Sequence, residues 1–171
     1  MKHRKPEHKY TQTERKKIYS IKKIKLKKDN TSITKKKSKA AYNERLNAIG
    51  AENAKYPKTV FCPAIQEYVA INRNSRRKTK NRAALDSKST RLAFNIPQLI
   101  ENAVLIYDNR RKNNTTGQKT FDSVFVLFCA VKNIGYAKIT IGRYSPETTD
   151  TQAPFVQYCV SHISLHEIRN K

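Results

Sequence analysis

The sequence predicts an α+β fold: a helical N-terminal part packed on an antiparallel β-meander of three to four strands, preceded by a long basic arm. Three observations carry that expectation. Residues 124–131 (VFVLFCAV) are an unbroken apolar run of strand length, as expected of a strand buried on both faces. Residues 136–143 then alternate, with Ala137, Ile139 and Ile141 on one side and Tyr136, Lys138 and Thr140 on the other. The charge, finally, is unevenly spread. The chain carries a net +23 from 36 basic and 13 acidic residues, and two blocks hold most of it: residues 1–40 (16 basic, 3 acidic) and 73–91 (8 basic, 1 acidic). What remains is near neutral, as a core should be.

Taken in order, residues 1–39 alternate Lys clusters with Thr, Ser, Asn and isolated Ile. Ile18, Ile21, Ile24 and Leu26 sit at spacings a short helix can use, but eight Lys or Arg lie between Arg15 and Lys28. So little apolar area does not offset ordering entropy, and this arm reads as disordered until a polyanion neutralises it. A single domain then spans residues 40–171. Ser38 is an N-cap for a helix through Asn53 carrying Tyr42, Leu46 and Ile49, with Gly50 weakening its end. After Tyr56-Pro57, Pro63 suits the first turn of a helix over Ile65, Tyr68 and Val69, with a strand over residues 66–71 as the alternative.

Residues 73–91 form the second basic block, polar at first and more helical after Arg82. Asn95-Ile96-Pro97 opens a short helix whose Leu99, Ile100, Ala103 and Val104 share a face, leading into a strand near residues 104–107. A polar connection over 108–119 precedes the central hairpin, whose turn is Lys132-Asn133-Ile134-Gly135. A polar loop over 144–152 leads to a last strand over 154–165, with Val156, Tyr158 and Val160 on one side and Phe155 and Cys159 on the other.

The composition bounds the function. A cationic excess in two blocks points to a polyanion, nucleic acid before an anionic membrane. No run approaches the roughly 18–20 apolar residues of a membrane span, and the N-terminus lacks a secretory signal. Cys62, Cys129 and Cys159 are odd in number with no CxxC spacing, which suits a reducing, cytoplasmic setting without a zinc site. No phosphate loop, nucleophile elbow or dinucleotide fingerprint is present, and no cofactor or metal is implied.

The phosphate-clamping candidates are therefore Arg15, Lys16, Lys17, Lys22, Lys23, Lys35, Lys36 and Lys37 in the arm, and Arg73, Arg76, Arg77, Lys78, Lys80, Arg82, Lys88 and Arg91 in the second block. Catalytic candidates are fewer. A metal-independent ribonuclease needs a cation for the transition state, a base for the 2′-hydroxyl and an acid for the leaving oxygen. Lys138 and Arg143 on the hairpin, with Thr140 to orient and His162 on the last strand, supply the cations and the acid. A strand carboxylate to act as base is missing.

The runs LDSKSTRLAFNIPQLIENAVLIYDN, FDSVFVLFCAVKNIGYAKITIGR and FVQYCVSHIS, over residues 85–165, resemble a group of phage and mobile-element domains. These include the C-terminal domains of MuF-type and large polyvalent phage proteins, grouped with the barnase/EndoU/colicin/RelE-like ribonuclease fold. The resemblance implies a helical part against an antiparallel sheet whose concave face meets RNA. It implies that Ser87, Lys88, Ser89 and Arg91 match polar positions before the Pro helix, and that Lys138, Arg143 and His162 match functional sheet positions. This sequence departs from the pattern in its basic arm and its missing strand carboxylate, both of which favour binding. The leading expectation is a nucleic-acid-binding protein, RNA ahead of DNA. Its alternatives are an endoribonuclease toxin or effector, an anti-CRISPR-type inhibitor docking on a host guide-RNA nucleoprotein, and a ribosome-associated protein.

Overall fold

Apolar alternation and cap chemistry become a six-stranded sheet with helices on both faces in a computed structural model. It describes residues 8–29, 33–110, 121–144 and 158–166, without the side chains of 109–110, 121–122 and 158–162. The elements run α1 (Gln12–Tyr19), α2 (Lys39–Asn53), β1 (Thr59–Cys62), β2 (Glu67–Ala70), α3 (Arg73–Ala83), α4 (Ser87–Ala93), α5 (Ile96–Glu101), β3 (Val104–Arg110), β4 (Phe121–Val131), β5 (Gly135–Tyr144) and β6 (Tyr158–His166). The strand order is β1-β2-β6-β5-β4-β3. β3 to β6 are the expected antiparallel meander. The β1–β2 hairpin joins it by a parallel seam, with Val69 opposite Tyr158 and Ala70 opposite Cys159.

The central hairpin follows its sequence. Asn133 (φ 61°) and Gly135 (φ 130°) take the left-handed backbone that the tight turn requires. β4 is buried on both faces. Leu127, Cys129 and Val131 join Ala137, Ile139 and Ile141 of β5 and Leu92, Ile96, Leu99 and Ile100 of the helices in the main core. Val124, Val126, Phe128 and Ala130 face the other way. Burying each of the Val, Leu, Ile and Phe side chains among these contributes about 1.5–3 kcal/mol. α2 starts at its expected cap, where the Ser38 hydroxyl accepts the Ala41 N–H, and α5 starts with Pro97 in its first turn.

Three expectations are corrected. Residues 8–29 of the basic arm are folded. Thr11 and Glu14 form a reciprocal capping box at the start of α1, and Ile18, Ile21 and Leu26 are buried. The second sheet face is therefore roofed by α1 through Ile18, with Ile21 just beyond the helix. Beyond α1 an extended strap crosses the sheet margin. Ile24 exchanges hydrogen bonds with Ala130 and Lys132 at the edge of β4, and Gln98 and Asn95 bind the backbone of Lys25, Lys27 and Lys28. Few apolar residues suffice because a preformed sheet supplies the opposite surface. Of the other arm residues, 33–39 are described as well, and 1–7 and 30–32 lie outside the described residues.

Residues 63–66 form a turn and β2 follows over Glu67–Ala70, so the strand alternative holds, short of its ends, and the Pro63 helix does not. α3 begins at Arg73, well before Arg82, because Asn72 caps it by accepting the Ser75 N–H. α3 also has a particular seat. β2 leaves β6 after Ala70, and the β6 edge continues beside the helix, where the Thr79 hydroxyl accepts the Ile163 N–H at 3.4 Å. A basic helix thus covers an exposed strand edge. Of the expected last strand, residues 154–157 lie outside the described residues.

Candidate nucleic-acid interface

The two basic blocks, far apart in sequence, meet at one buried residue. Arg45 of α2 is 3% exposed, yet it carries a full positive charge. Its Nε donates to the Ala84 carbonyl at 2.7 Å, and its Nη1 donates to the carbonyls of Thr34 and Lys36 at 3.2 and 3.0 Å. Nη2 lies 3.4 Å from the Leu85 carbonyl. One guanidinium therefore pins the Lys35–Lys36–Lys37 segment to the C-terminal end of α3. Sequence reasoning missed Arg45, because a single Arg among helical polar residues gives no local sign of burial. The signal available was a helical period, since Arg45 lies four residues from both Ala41 and Ile49, the buried stripe of α2.

Around this junction Lys35, Lys36, Lys37, Arg82 and Lys88 are exposed, together with Leu85 at 63% exposure. A cleft of about 230 Å³ opens beside them between α3, α4 and β6, lined among others by Thr79, Arg82, Ser89, Leu92 and Ile163. The cations extend from the junction along α3. Its buried stripe is Ser75, Thr79 and Ala83, and Arg73, Arg77 and Lys80 form a second stripe at spacings of four and three. Arg73, Arg77 and Lys78 are exposed, while Lys80 is half-buried where its stem passes Gly50 of α2. A Cβ at Gly50 would lie 3.9 Å from that stem, ordinary contact, so the two helices pack closely there.

Two candidates of this block are occupied structurally. Arg76 donates to the carbonyls of Ile71 and Asn53, both at 3.0 Å, and Arg91 pairs with Asp29 at 2.5 Å. Both fasten the fold. In the arm, Lys16, Lys17, Lys22 and Lys23 are exposed on α1 and its strap, with Arg15 half-buried. They lie on the α1 side of the sheet, apart from the α2–α3 junction.

The catalytic candidates do not share a face. Lys138 and Arg143 are five residues apart on a regular strand, so they point to opposite faces. Lys138 lies on the α1 face, opposite Phe128, with its Nζ 6.0 Å from the Tyr10 ring centroid. Arg143 lies opposite Ser123 on the other face. The backbone of His162 pairs with Thr140, but a register shift after it places Val160 opposite Ile141. Strict alternation would put His162 and Tyr158 on one side of the strand, but the shift gives them register positions of opposite parity. The His162 side chain is outside the described residues.

The structure also assembles groups outside those candidates. His8, assigned to the disordered arm, stacks on Tyr107 with centroids 4.0 Å apart and lies 3.2 Å from Glu14. Tyr10 meets His8, Phe128 and His166 edge-on at 5.0, 5.7 and 5.6 Å. Burial pushes the Glu14 carboxyl up, but the Thr11 N–H and His8 outweigh it and hold the group below its ordinary value. Burial raises the Tyr107 hydroxyl, with the Glu14 charge adding to the effect. Among the described residues no group of His, Cys, Asp and Glu is placed to hold a metal ion, and no helix is long and apolar enough to cross a membrane. Burial raises the Cys62 thiol and pushes the Cys129 thiol up to about 12, so both are inert small hydrophobes. Comparison of the chain with protein-family models, curated proteins and solved structures finds no match.

Proposed function

We propose that the protein binds nucleic acid, RNA ahead of DNA, by gripping the phosphate backbone with the cations gathered at the α2–α3 junction and along α3. The observation that carries this reading is the Arg45 staple. Burying a guanidinium is costly, and here its hydrogen bonds fix Lys35, Lys36 and Lys37 beside Arg82 and Lys88 despite their mutual repulsion. A fold that holds like charges together gains from a polyanion that neutralises them. The exposed cations of α1 and its strap supply a second phosphate contact on the other side of the sheet. A host nucleoprotein with exposed RNA presents the same chemistry.

The test is a salt titration of binding to a single-stranded and a duplex oligonucleotide. Replacing Lys35, Lys36, Lys37, Arg82 and Lys88 with Gln should weaken both, about equally across sequences. It should also flatten the log–log salt dependence by about 0.7 per lost phosphate contact on single strands and about 0.9 on duplex. An unchanged slope would overturn the assignment.

A second reading, a metal-independent endoribonuclease, is favoured by the cluster around Tyr10. His8 and His166 lie at the Tyr10 ring edge and Lys138 is near it, which gathers two imidazoles and an ammonium on one sheet face. Imidazoles serve as acid and base, and the ammonium offsets developing phosphate charge. If this reading holds, purified protein cleaves RNA without metal, and His8→Ala or His166→Ala lowers the rate by about 10²–10⁴. Intact RNA after prolonged incubation would dismiss it.

A further inference from the structure

Two of the four large apolar side chains left exposed in the described structure sit next to each other. Phe61 of β1 and Tyr68 of β2 are directly opposite in the hairpin register, 39% and 68% exposed, with ring centroids 5.2 Å apart and planes at 59°. Their strand neighbours Val60 and Val69 point the other way, into the main core, at 5% and 0% exposure. The hairpin is thus anchored from beneath, and its outer face presents two aromatic rings to solvent.

The charges around the pair have one sign on the side where the chain enters α3. Lys58 precedes β1, and Arg73 and Arg77 follow β2; all three are exposed, and no acidic residue lies between Glu67 and Asp86. From Arg73 the cationic stripe runs along α3 for about 16 Å, at about 1.5 Å per residue, to the Arg45 junction. An aromatic surface at one end of a row of phosphate-binding cations matches an unpaired strand, whose bases stack while its backbone is tracked. A duplex hides the faces of its bases and offers only phosphates.

We propose that Phe61 and Tyr68 form a base-stacking platform for single-stranded nucleic acid, entered from the cationic track of α3. This rests on the nucleic-acid-binding reading above and adds a preference for unpaired strands. Stacking accepts any base, so the platform confers strandedness selectivity without sequence selectivity.

The experiment measures affinity of the full chain for oligo(U), oligo(dT) and a mixed-sequence duplex, each across a salt series. Phe61→Leu with Tyr68→Leu keeps the strands apolar and removes the ring faces. It should cost about tenfold or more in affinity for both single strands. Duplex affinity should stay within about twofold, and the salt slope should not change. A larger loss on oligo(U) than on oligo(dT) identifies RNA as the ligand, and equal losses identify unpaired strands of either kind; both support the platform. Equal losses on single strand and duplex, or none on either, overturn it. In the second case binding by the wild-type chain with a steep salt slope leaves the cationic interface standing. No binding by the wild-type chain removes both. The chain has no Trp, so Tyr68→Trp places a lone indole on the platform. Its fluorescence should be quenched on adding oligo(U) and not on adding duplex; emission that oligo(U) leaves unchanged at saturation overturns the proposal independently of affinity.

Discussion

α1 and α3 are both rich in Lys and Arg, and they are held to the same sheet by opposite means. α1 is anchored by apolar side chains: Ile18 is fully buried, and Ile21 and Leu26 follow it in the strap. α3 buries nothing larger than Ser75, Thr79 and Ala83. Its attachment is polar, through the Thr79–Ile163 hydrogen bond, the two Arg76 bonds and the Arg45 staple at its end. The difference teaches that a basic helix has two routes onto a sheet. It can cover a face, which requires isoleucines, or it can cover an edge, which requires a hydroxyl at the right turn. The second route leaves more of the helix surface free for cations.

Perturbation of the α1 anchor should have the largest effect. Ile18→Ala should destabilise the protein by about 2–5 kcal/mol in urea unfolding, the usual cost of emptying a buried aliphatic site. A change within about 0.5 kcal/mol, as at surface positions, would mean that α1 is not anchored as the face-covering route requires. Arg45→Met comes next. It strips charged donors from carbonyls of Thr34, Lys36 and Ala84, and should cost about 1.5–3 kcal/mol. It should also weaken nucleic-acid binding with every surface Lys still present; full affinity retained in this variant would show that the staple does not organise the cations.

Thr79→Val sharpens the contrast further, because it keeps the shape of the side chain and removes the acceptor for Ile163. The expected cost is about 0.5–1.5 kcal/mol, with the Ile163 amide losing protection in hydrogen exchange. An unaltered exchange rate would place the attachment of α3 elsewhere. The smallest effect is expected from Glu14→Gln at the start of α1. The Glu14 carboxyl is held below its ordinary value of 4.5, so in the acid range the unfolded chain binds more protons than the folded one. Its stabilisation is present above pH 4.5 and is lost as pH falls through the lowered value. The variant should therefore be less stable than the wild type at pH 6, by about 0.5 kcal/mol, and equal to it near pH 2. A gap that persists at low pH would assign the effect to packing.

The same contrast explains what could be read in the sequence. The hairpin of β4 and β5 was legible because its signals are local: an apolar run, a turn with Asn133 and Gly135, and strict alternation after it. α2 and α5 were legible from Ser38 and Pro97. The arm was misjudged because its four apolar residues are too few to fold alone, and the surface that Ile18 and Ile21 meet lies about 100 residues further on in Val124, Val126 and Phe128, while Ile24 and Leu26 join the main core. α3 was misjudged for a related reason. Ser75, Thr79 and Ala83 give no apolar periodicity, and the edge they cover belongs to β6. For the site, the basic blocks were visible as composition, whereas their union through Arg45 was not. Lys138 and Arg143 were given one task although their odd spacing on a strand separates them. His8 was discarded with the arm, and the fold returns it to the sheet face.

The parallel seam between β2 and β6 fixes an order of assembly. Val69 and its partner Tyr158 are roughly 90 residues apart. At about 5–20 residues per second, the β1–β2 hairpin waits roughly 5–20 s during synthesis before its neighbour in the sheet exists. α3 waits as long for the edge it covers. A nascent helix kept waiting with an apolar stripe invites aggregation, whereas one that offers the solvent Arg, Lys, Asn, Ser and Thr does not. The polar underside of α3 thus lets the least locally determined part of the sheet be completed last without a sticky intermediate.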